Sequence, residues 1–184
     1  SHRGIMIKSG AALEEMSHID TVIFDKTGTL TTAQLNVETV KAFAGADDEL
    51  LQICAGAEMY SEHPIAKAIL NHAKKRGVEL IKPADTKSLA GIGVECTING
   101  RRVLVCSYDA LQKSGTDFSA GRTFAGERLE QGETLVCVVI DNTFAGIVSL
   151  SDSIKAGAAG AVETLKRCGV HTVMLTGDNE RAAH

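Results

Sequence analysis

A chain of 184 residues with 44% hydrophobic residues can form one domain or two small ones around a buried core. Its formal net charge of -4 gives no indication of a nucleic-acid partner or of an acidic membrane surface. No apolar run approaches the roughly 20 residues needed to span a bilayer, and no signal-peptide pattern is present, so we expect this stretch itself to be soluble.

The first informative element is a short apolar run, residues 21–24, that predicts a buried strand. It is followed by residues 25–31, with the sequence Asp-Lys-Thr-Gly-Thr-Leu-Thr. An aspartate at the carboxyl end of such a strand occupies the position where open α/β sheets place their chemistry. A carboxylate there can attack a phosphoryl group and hold it covalently. Gly28 allows a tight turn, and the three threonines offer hydroxyls and amides to phosphate oxygens.

The middle of the chain predicts an α+β unit with an antiparallel sheet. Asn99-Gly100 and Asp141-Asn142 are two-residue turns between strand-like segments, and the first pair is a strong hairpin signal. The predicted strands are 37–43, 86–89, 94–98, 101–106, 134–140 and 143–150, and the predicted helices are 47–60, 64–76, 108–113 and 119–130.

The last block of the chain has a helix–strand pattern, unlike the middle block. A helix rich in small residues is predicted at 154–168, then a buried strand at 170–175 that ends in Thr-Gly-Asp at 176–178. We expect this strand and the strand before Asp25 to be parallel neighbours in one α/β sheet, with the middle block inserted between them. The five cysteines form no CxxC pair and are expected to be buried hydrophobes of a cytosolic protein.

Four motifs, in order along the chain, resemble those of P-type cation-transporting ATPases. Residues 25–31 look like the phosphorylation motif of that family, and residues 176–178 resemble its second phosphorylation-domain motif. Residues 61–64, Ser-Glu-His-Pro, resemble the nucleotide-domain signature of the heavy-metal branch. Residues 91–93, Gly-Ile-Gly, match the glycine pair of the same branch.

The resemblance implies an α/β phosphorylation domain of haloacid-dehalogenase type with a parallel sheet, split by an inserted α+β nucleotide-binding domain with an antiparallel sheet. On this basis residues 1–36 form the first part of the phosphorylation domain, residues 37–150 the nucleotide-binding domain, and residues 151–184 the truncated second part.

The resemblance also implies the roles of the catalytic residues, which are Asp25, Lys26, Thr27, Thr176, Gly177 and Asp178. Asp25 would take the γ-phosphate of ATP, and Mg²⁺ would bind Asp25 and the backbone carbonyl of Thr27. Thr176 would donate to the transferred phosphoryl, and Asp178 would lie close to the metal. Related phosphatases carry an acid where this chain has Thr27; threonine cannot act as general acid or base, so the aspartyl-phosphate should persist.

The implied nucleotide contacts are Glu58, His63, Gly91, Gly93 and Asp152. Imidazole can stack on adenine, and a carboxylate can accept a hydrogen bond from its exocyclic amine. The two glycines would let the backbone approach the nucleotide. Asp152 resembles the aspartate of an Asp-Pro motif that helps to align the nucleotide, although Ser153 replaces the proline here.

The implied function is that of the ATP-binding and phosphorylation region of an ATPase that transports a heavy-metal cation, located on the cytosolic face of a membrane. Its partners would be ATP, the cation, and the actuator and transmembrane domains. The later hinge motif, with a second Mg²⁺-binding aspartate, is absent from this stretch, so we expect ATP binding with weak or no autophosphorylation. Two alternatives stay open, a stand-alone phosphatase of the same superfamily and a non-catalytic nucleotide-binding module. Copper, zinc, cadmium and cobalt all remain possible cargo.

Overall fold

The computed structural model of the protein describes residue 6 and residues 9–175, with residues 12, 13 and 27 described by their backbone only. The helices are α1 (Gly10–Met16), α2 (Asp47–Ala57), α3 (Pro64–Lys75), α4 (Tyr108–Ser114), α5 (Arg122–Glu130) and α6 (Ala158–Arg167). The strands are β1 (Thr21–Asp25), β2 (Thr31–Ala42), β3 (Ala84–Leu89), β4 (Gly93–Ile98), β5 (Arg101–Ser107), β6 (Thr134–Ile140), β7 (Thr143–Ile154) and β8 (His171–Leu175).

The chain divides into two compact units. The first contains the described residues up to 32 together with residues 154–175, and the second contains Ala33–Ser153. In the first unit β1 pairs with β8 in parallel, and Asp25 is the register partner of Leu175. The predicted parallel pairing of these two strands is therefore confirmed.

The second unit is built on a six-stranded sheet with the order β2-β7-β6-β5-β4-β3, in which the pairs from β3 to β7 are antiparallel. Its two faces carry two separate cores. Val136, Val138 and Ile140 pack with residues of α2 and α3, whereas Leu135, Cys137 and Val139 pack with α4 and α5. Because both faces of β6 are covered, its sequence is a continuous apolar run instead of an alternating one.

The two predicted hairpin turns are present. Asn99 and Gly100 have φ values of 51° and 76°, and Asp141 and Asn142 have φ values of 49° and 63°. Positive φ at both central positions is the requirement of a type I′ turn, which matches the twist of the flanking strands. Asp141 also accepts a hydrogen bond from Arg101 Nε at 2.9 Å and another from the Arg102 N–H at 2.9 Å.

Two strands are longer than predicted, because β2 begins at residue 31 and β7 runs to residue 154. Their added ends, residues 31–36 and 151–154, are mostly polar and so lack the apolar signal of a strand. A hydrogen bond from Asn36 Nδ2 to Ser153 Oγ at 2.6 Å joins the two added ends, and one from Ser151 Oγ to Glu38 Oε1 at 2.5 Å holds the end of β7 to the predicted part of β2.

Three further predictions are corrected. The helix expected from residue 154 begins only at Ala158, and residues 119–121 form a 3-10 turn before α5. Cys168, the residue after α6, is exposed, as α6 itself has no buried residue, whereas the other four cysteines are buried as predicted. Within the described part of the chain, none of the helices combines the length and the apolar character needed to cross a membrane.

Candidate functional site

Asp25 is the last residue of β1, and its side chain is exposed. Its backbone is extended, with φ -69° and ψ 133°. The parallel neighbour β8 ends at the same level, since Leu175 is the register partner of Asp25. Asp25 therefore lies at the carboxyl edge of the sheet, where side chains reach out to a ligand. The predicted residues Thr176, Gly177 and Asp178 lie outside the described residues.

The turn after Asp25 is a single π-helical turn, Lys26–Leu30, instead of an irregular loop. The backbone N–H of Thr31 donates to Lys26 O, and the Thr31 hydroxyl donates to the same oxygen at 3.1 Å. The hydroxyl also accepts from the Gly28 N–H at 3.1 Å, and Gly28 has a φ of 78°. Thr31 is 4% exposed, so it shapes the turn from within, unlike the phosphate contact expected from sequence.

Lys155 holds the same turn from the segment between β7 and α6. Its backbone N–H donates to Leu30 O at 2.9 Å, and its ammonium Nζ donates to Gly28 O. In the sequence, the only feature that draws attention to Lys155 is its position three residues after Asp152. Its contact with the turn cannot be predicted from sequence, because contacts between distant segments leave no local pattern.

The Asp25 turn fits Mg²⁺, which prefers oxygen ligands and is usually held by one or two carboxylates together with substrate phosphates. Asp25 supplies an exposed carboxylate, and Thr27, the other predicted ligand, contributes a backbone carbonyl within the turn. In the described part of the chain, no group of three or more His, Cys, Asp or Glu side chains could hold a metal ion.

A second group of predicted residues lines one open pocket in the second unit, here called the His63 pocket. Its volume is about 390 Å³, within the usual range for sites that bind small molecules. The pocket brings Glu58, His63, Gly91 and Gly93 together. The remaining lining residues are Ser61, Ile65, Ser88, Leu89, Ala90, Ile92, Val94, Val105, Cys106, Ser107 and Val136.

Glu58 lies directly after the end of α2 and is 7% exposed. Burial raises the pKa of its carboxyl above the usual glutamate value, because a charged carboxylate loses its hydration there. A hydrogen bond with the Ser61 side chain and the charge of His63 partly oppose this increase in pKa. The pocket thus contains a carboxyl group with few competing water molecules.

His63 is the N-cap residue of α3, and Pro64 is the first residue of that helix. The ring Nδ1 accepts a hydrogen bond from the Ile65 N–H at 3.3 Å. Whenever the ring is neutral, acceptance at Nδ1 leaves the proton on Nε2, which is then the donor. The cap therefore orients the imidazole, although the side chain is exposed.

Gly91 and Gly93, the two predicted glycines, are needed for different structural reasons. Gly91 has a φ of 71°, and a Cβ built there would have open space. Gly93 has a φ of 154°, and its Cβ would lie 2.0 Å from Val105 O and 2.7 Å from Cys106 Cα. Gly93 is therefore needed for the close packing of β4 on β5, a reason that adds to its place in the pocket wall.

Asp152 lies within β7 and is half-buried. The sequence places it after the end of that strand, but β7 continues to residue 154. Among the described residues that line the His63 pocket, Asp152 does not appear. The structure therefore brings four of the five predicted nucleotide contacts together and leaves this one elsewhere in the sheet.

A family model described as a haloacid dehalogenase-like hydrolase matches residues 19–184. The chain is 39% identical over 183 residues to the copper-exporting P-type ATPase B of Archaeoglobus fulgidus, with 98% of this chain and 26% of the relative covered. It is also 39% identical over 184 residues to the zinc/cadmium/lead-transporting P-type ATPase of Shigella sonnei, with 100% of this chain and 24% of the relative covered.

A solved structure of a zinc-transporting PIB-type ATPase in its E2.Pi state superposes with a TM-score of 0.84 at 37% identity, covering 98% of this chain and 29% of that one. These matches confirm the resemblance to heavy-metal P-type ATPases and the haloacid-dehalogenase-like fold class. The chain spans about a quarter of the length of these curated relatives.

Proposed function

Because the chain belongs to the haloacid dehalogenase-like hydrolase family, we propose that it is the ATP-binding and phosphorylation region of a P-type ATPase that transports a heavy-metal cation. The observation that carries the proposal is the exposed Asp25 carboxylate at the carboxyl edge of two parallel strands, followed by a turn with a fixed backbone. The whole protein would lie in a membrane with this region on the cytosolic face, and its other partners would be the actuator and transmembrane domains.

The reaction proceeds in two steps. A carboxylate oxygen of Asp25 attacks the γ-phosphorus of ATP, and the bond to the bridging oxygen breaks with its electron pair leaving on ADP. Water then attacks the phosphorus of the aspartyl-phosphate, which releases inorganic phosphate and regenerates the carboxylate. Mg²⁺, held by Asp25 and the Thr27 carbonyl, would neutralise the charge that develops on the phosphoryl oxygens.

The His63 pocket binds the adenine end of ATP in this proposal. Its buried Glu58 carboxyl can accept a hydrogen bond from the exocyclic amine, and the fixed imidazole offers a face for stacking. Because Gly91 has no side chain, main-chain atoms can approach the nucleotide closely. Asp152, which lies in β7, would act from outside this pocket.

The proposal is tested by phosphorylation of the full-length protein with γ-³²P-labelled ATP and Mg²⁺. The expected product is an acid-stable, hydroxylamine-labile label that disappears in Asp25→Asn. Label that survives this substitution would exclude Asp25 as the nucleophile. Hydrolysis of small phosphate esters by the chain alone would support the stand-alone phosphatase instead. A wild-type protein that binds ATP but forms no label would support the non-catalytic nucleotide-binding module.

A further inference from the structure

Lys155 contacts the turn after Asp25 with two different donors. Its main-chain N–H binds Leu30 O at 2.9 Å, and its ammonium binds Gly28 O. It is the first residue after β7 and lies ahead of α6. A single residue thus fixes two of the five carbonyl groups of Lys26–Leu30.

The ammonium contact also sets the direction of a neighbouring amide. In a trans peptide the C=O and the following N–H point to opposite sides of one plane, and the described chain contains no cis peptide bond. With Gly28 O turned to Lys155, the N–H of Thr29 points to the other side of the turn. Thr31 secures the preceding peptide, because its hydroxyl accepts from the Gly28 N–H.

A carbonyl that accepts a charged hydrogen bond is polarised, which makes the N–H of the same peptide a better donor. Oriented main-chain N–H groups are a common means of stabilising charge on a phosphoryl group during transfer. The ammonium also adds one positive charge to a turn that follows directly after the Asp25 carboxylate.

From these contacts we infer that Lys155 is a positioning residue for phosphoryl transfer to Asp25. Its ammonium holds the Gly28–Thr29 peptide so that the Thr29 N–H is presented to the phosphoryl group, while the Asp25–phosphorus bond forms and the bond to ADP breaks. This role rests on the proposed function of Asp25, and it is distinct from nucleotide binding in the His63 pocket.

The test compares Lys155→Met, Lys155→Gln and Lys155→Arg in the full-length protein. Rates of hydroxylamine-labile label formation are measured over a range of ATP concentrations, and equilibrium ATP binding is measured separately. Lys155→Met should lower the maximal rate by about tenfold or more, because the peptide is no longer held, and leave ATP affinity within about twofold. Lys155→Arg, which keeps a charged donor, should retain the rate within about threefold, and Lys155→Gln should fall between them.

A wild-type rate in Lys155→Met overturns the inference, as does an equal loss in Lys155→Arg and Lys155→Met at unchanged melting temperature. A change in ATP affinity alone also overturns it, because that result places Lys155 in nucleotide binding. If Lys155→Met does not fold, Lys155→Gln replaces it, and a wild-type rate in Lys155→Gln overturns the inference. A wild-type protein that forms no label at Asp25 defeats the proposed function and this inference together, whereas a labelled wild type with an insensitive Lys155 defeats only the inference.

Discussion

The Nδ1 atom of His63 accepts a hydrogen bond from the Ile65 N–H at 3.3 Å, so the side chain assigned to nucleotide binding is also the N-cap of α3. One residue therefore combines the cap, which the structure shows, with the proposed stacking of its ring on adenine. A simple truncation would remove both. The two roles can be separated because asparagine is a better N-cap than histidine and has no aromatic ring.

His63→Asn should weaken ATP binding by roughly tenfold or more, because a stacking contact worth about 1–3 kcal/mol is lost. Its melting temperature should equal or exceed that of the wild type, since the cap is kept. His63→Ala should lose a similar affinity and about 1 kcal/mol of stability as well. Calorimetric titration with a non-hydrolysable ATP analogue and thermal denaturation measure the two effects. If His63→Asn bound the ATP analogue with wild-type affinity, His63 would act only as the N-cap of α3.

Glu58→Gln should stabilise the fold at neutral pH and weaken ATP binding. Because burial raises the folded-state pKa of Glu58, the native protein holds a proton that the unfolded chain releases as pH rises. The wild-type free energy of unfolding should therefore fall between the usual glutamate pKa and the raised value, and stay level above it. Glutamine, which does not titrate, should abolish this fall.

The measurement for Glu58→Gln is urea unfolding at several pH values from 4 to 8, with Glu62→Gln, an exposed neighbour, as the matched control. Affinity for ATP should decrease by roughly five- to tenfold, since a neutral acceptor replaces a charged one. A variant with the same pH dependence as the wild type would mean that Glu58 does not carry the titration.

Substitution of three glycines by alanine should give three different results. Gly93→Ala should cost about 3 kcal/mol or more, because its Cβ meets the β5 backbone at 2.0 Å. Gly91→Ala has open space but a φ of 71°, so about 1–2 kcal/mol is expected together with weaker ATP binding. Gly126→Ala, inside α5 with open space, should stabilise the protein by about 0.5–1 kcal/mol.

Chemical denaturation of the three glycine variants measures these differences in the free energy of unfolding. Gly126→Ala serves as the control for a harmless added methyl group. A tolerated Gly93→Ala would contradict the close approach of β4 and β5 that places Gly93 in the pocket wall.

The elements predicted correctly from sequence are those whose signal is local. Asn99-Gly100 defines its turn by the positive φ that these residues tolerate, and the strands on either side follow from it. The added ends of β2 and β7 have no such signal, because polar residues such as Asn36 and Ser153 join them only by a contact across 117 positions of sequence.

The candidate site divides along the same line. The position of Asp25 at the end of a strand could be predicted because the strand and the turn after it are contiguous in sequence. The grouping of Glu58, His63, Gly91 and Gly93 could be anticipated only through a resemblance, since spacing alone does not place a helix end beside a strand end. The contact of Lys155 with Gly28 and the raised pKa of Glu58 depend on packing, which no local pattern encodes.

The five cysteines should separate into one reactive and four protected thiols. Cys168 is exposed, whereas burial raises the pKa of Cys106 to about 11 and raises that of Cys137 still further. At pH 8 only about a thousandth of a thiol with a pKa near 11 is the reactive thiolate, and burial also blocks the reagent. When the native chain reacts with an aromatic disulfide reagent, one equivalent of aromatic thiol should be released rapidly. All five equivalents should be released only after unfolding. Cys168→Ser should remove the rapid phase, and a second rapid equivalent would mean that the core around β5 and β6 opens in solution.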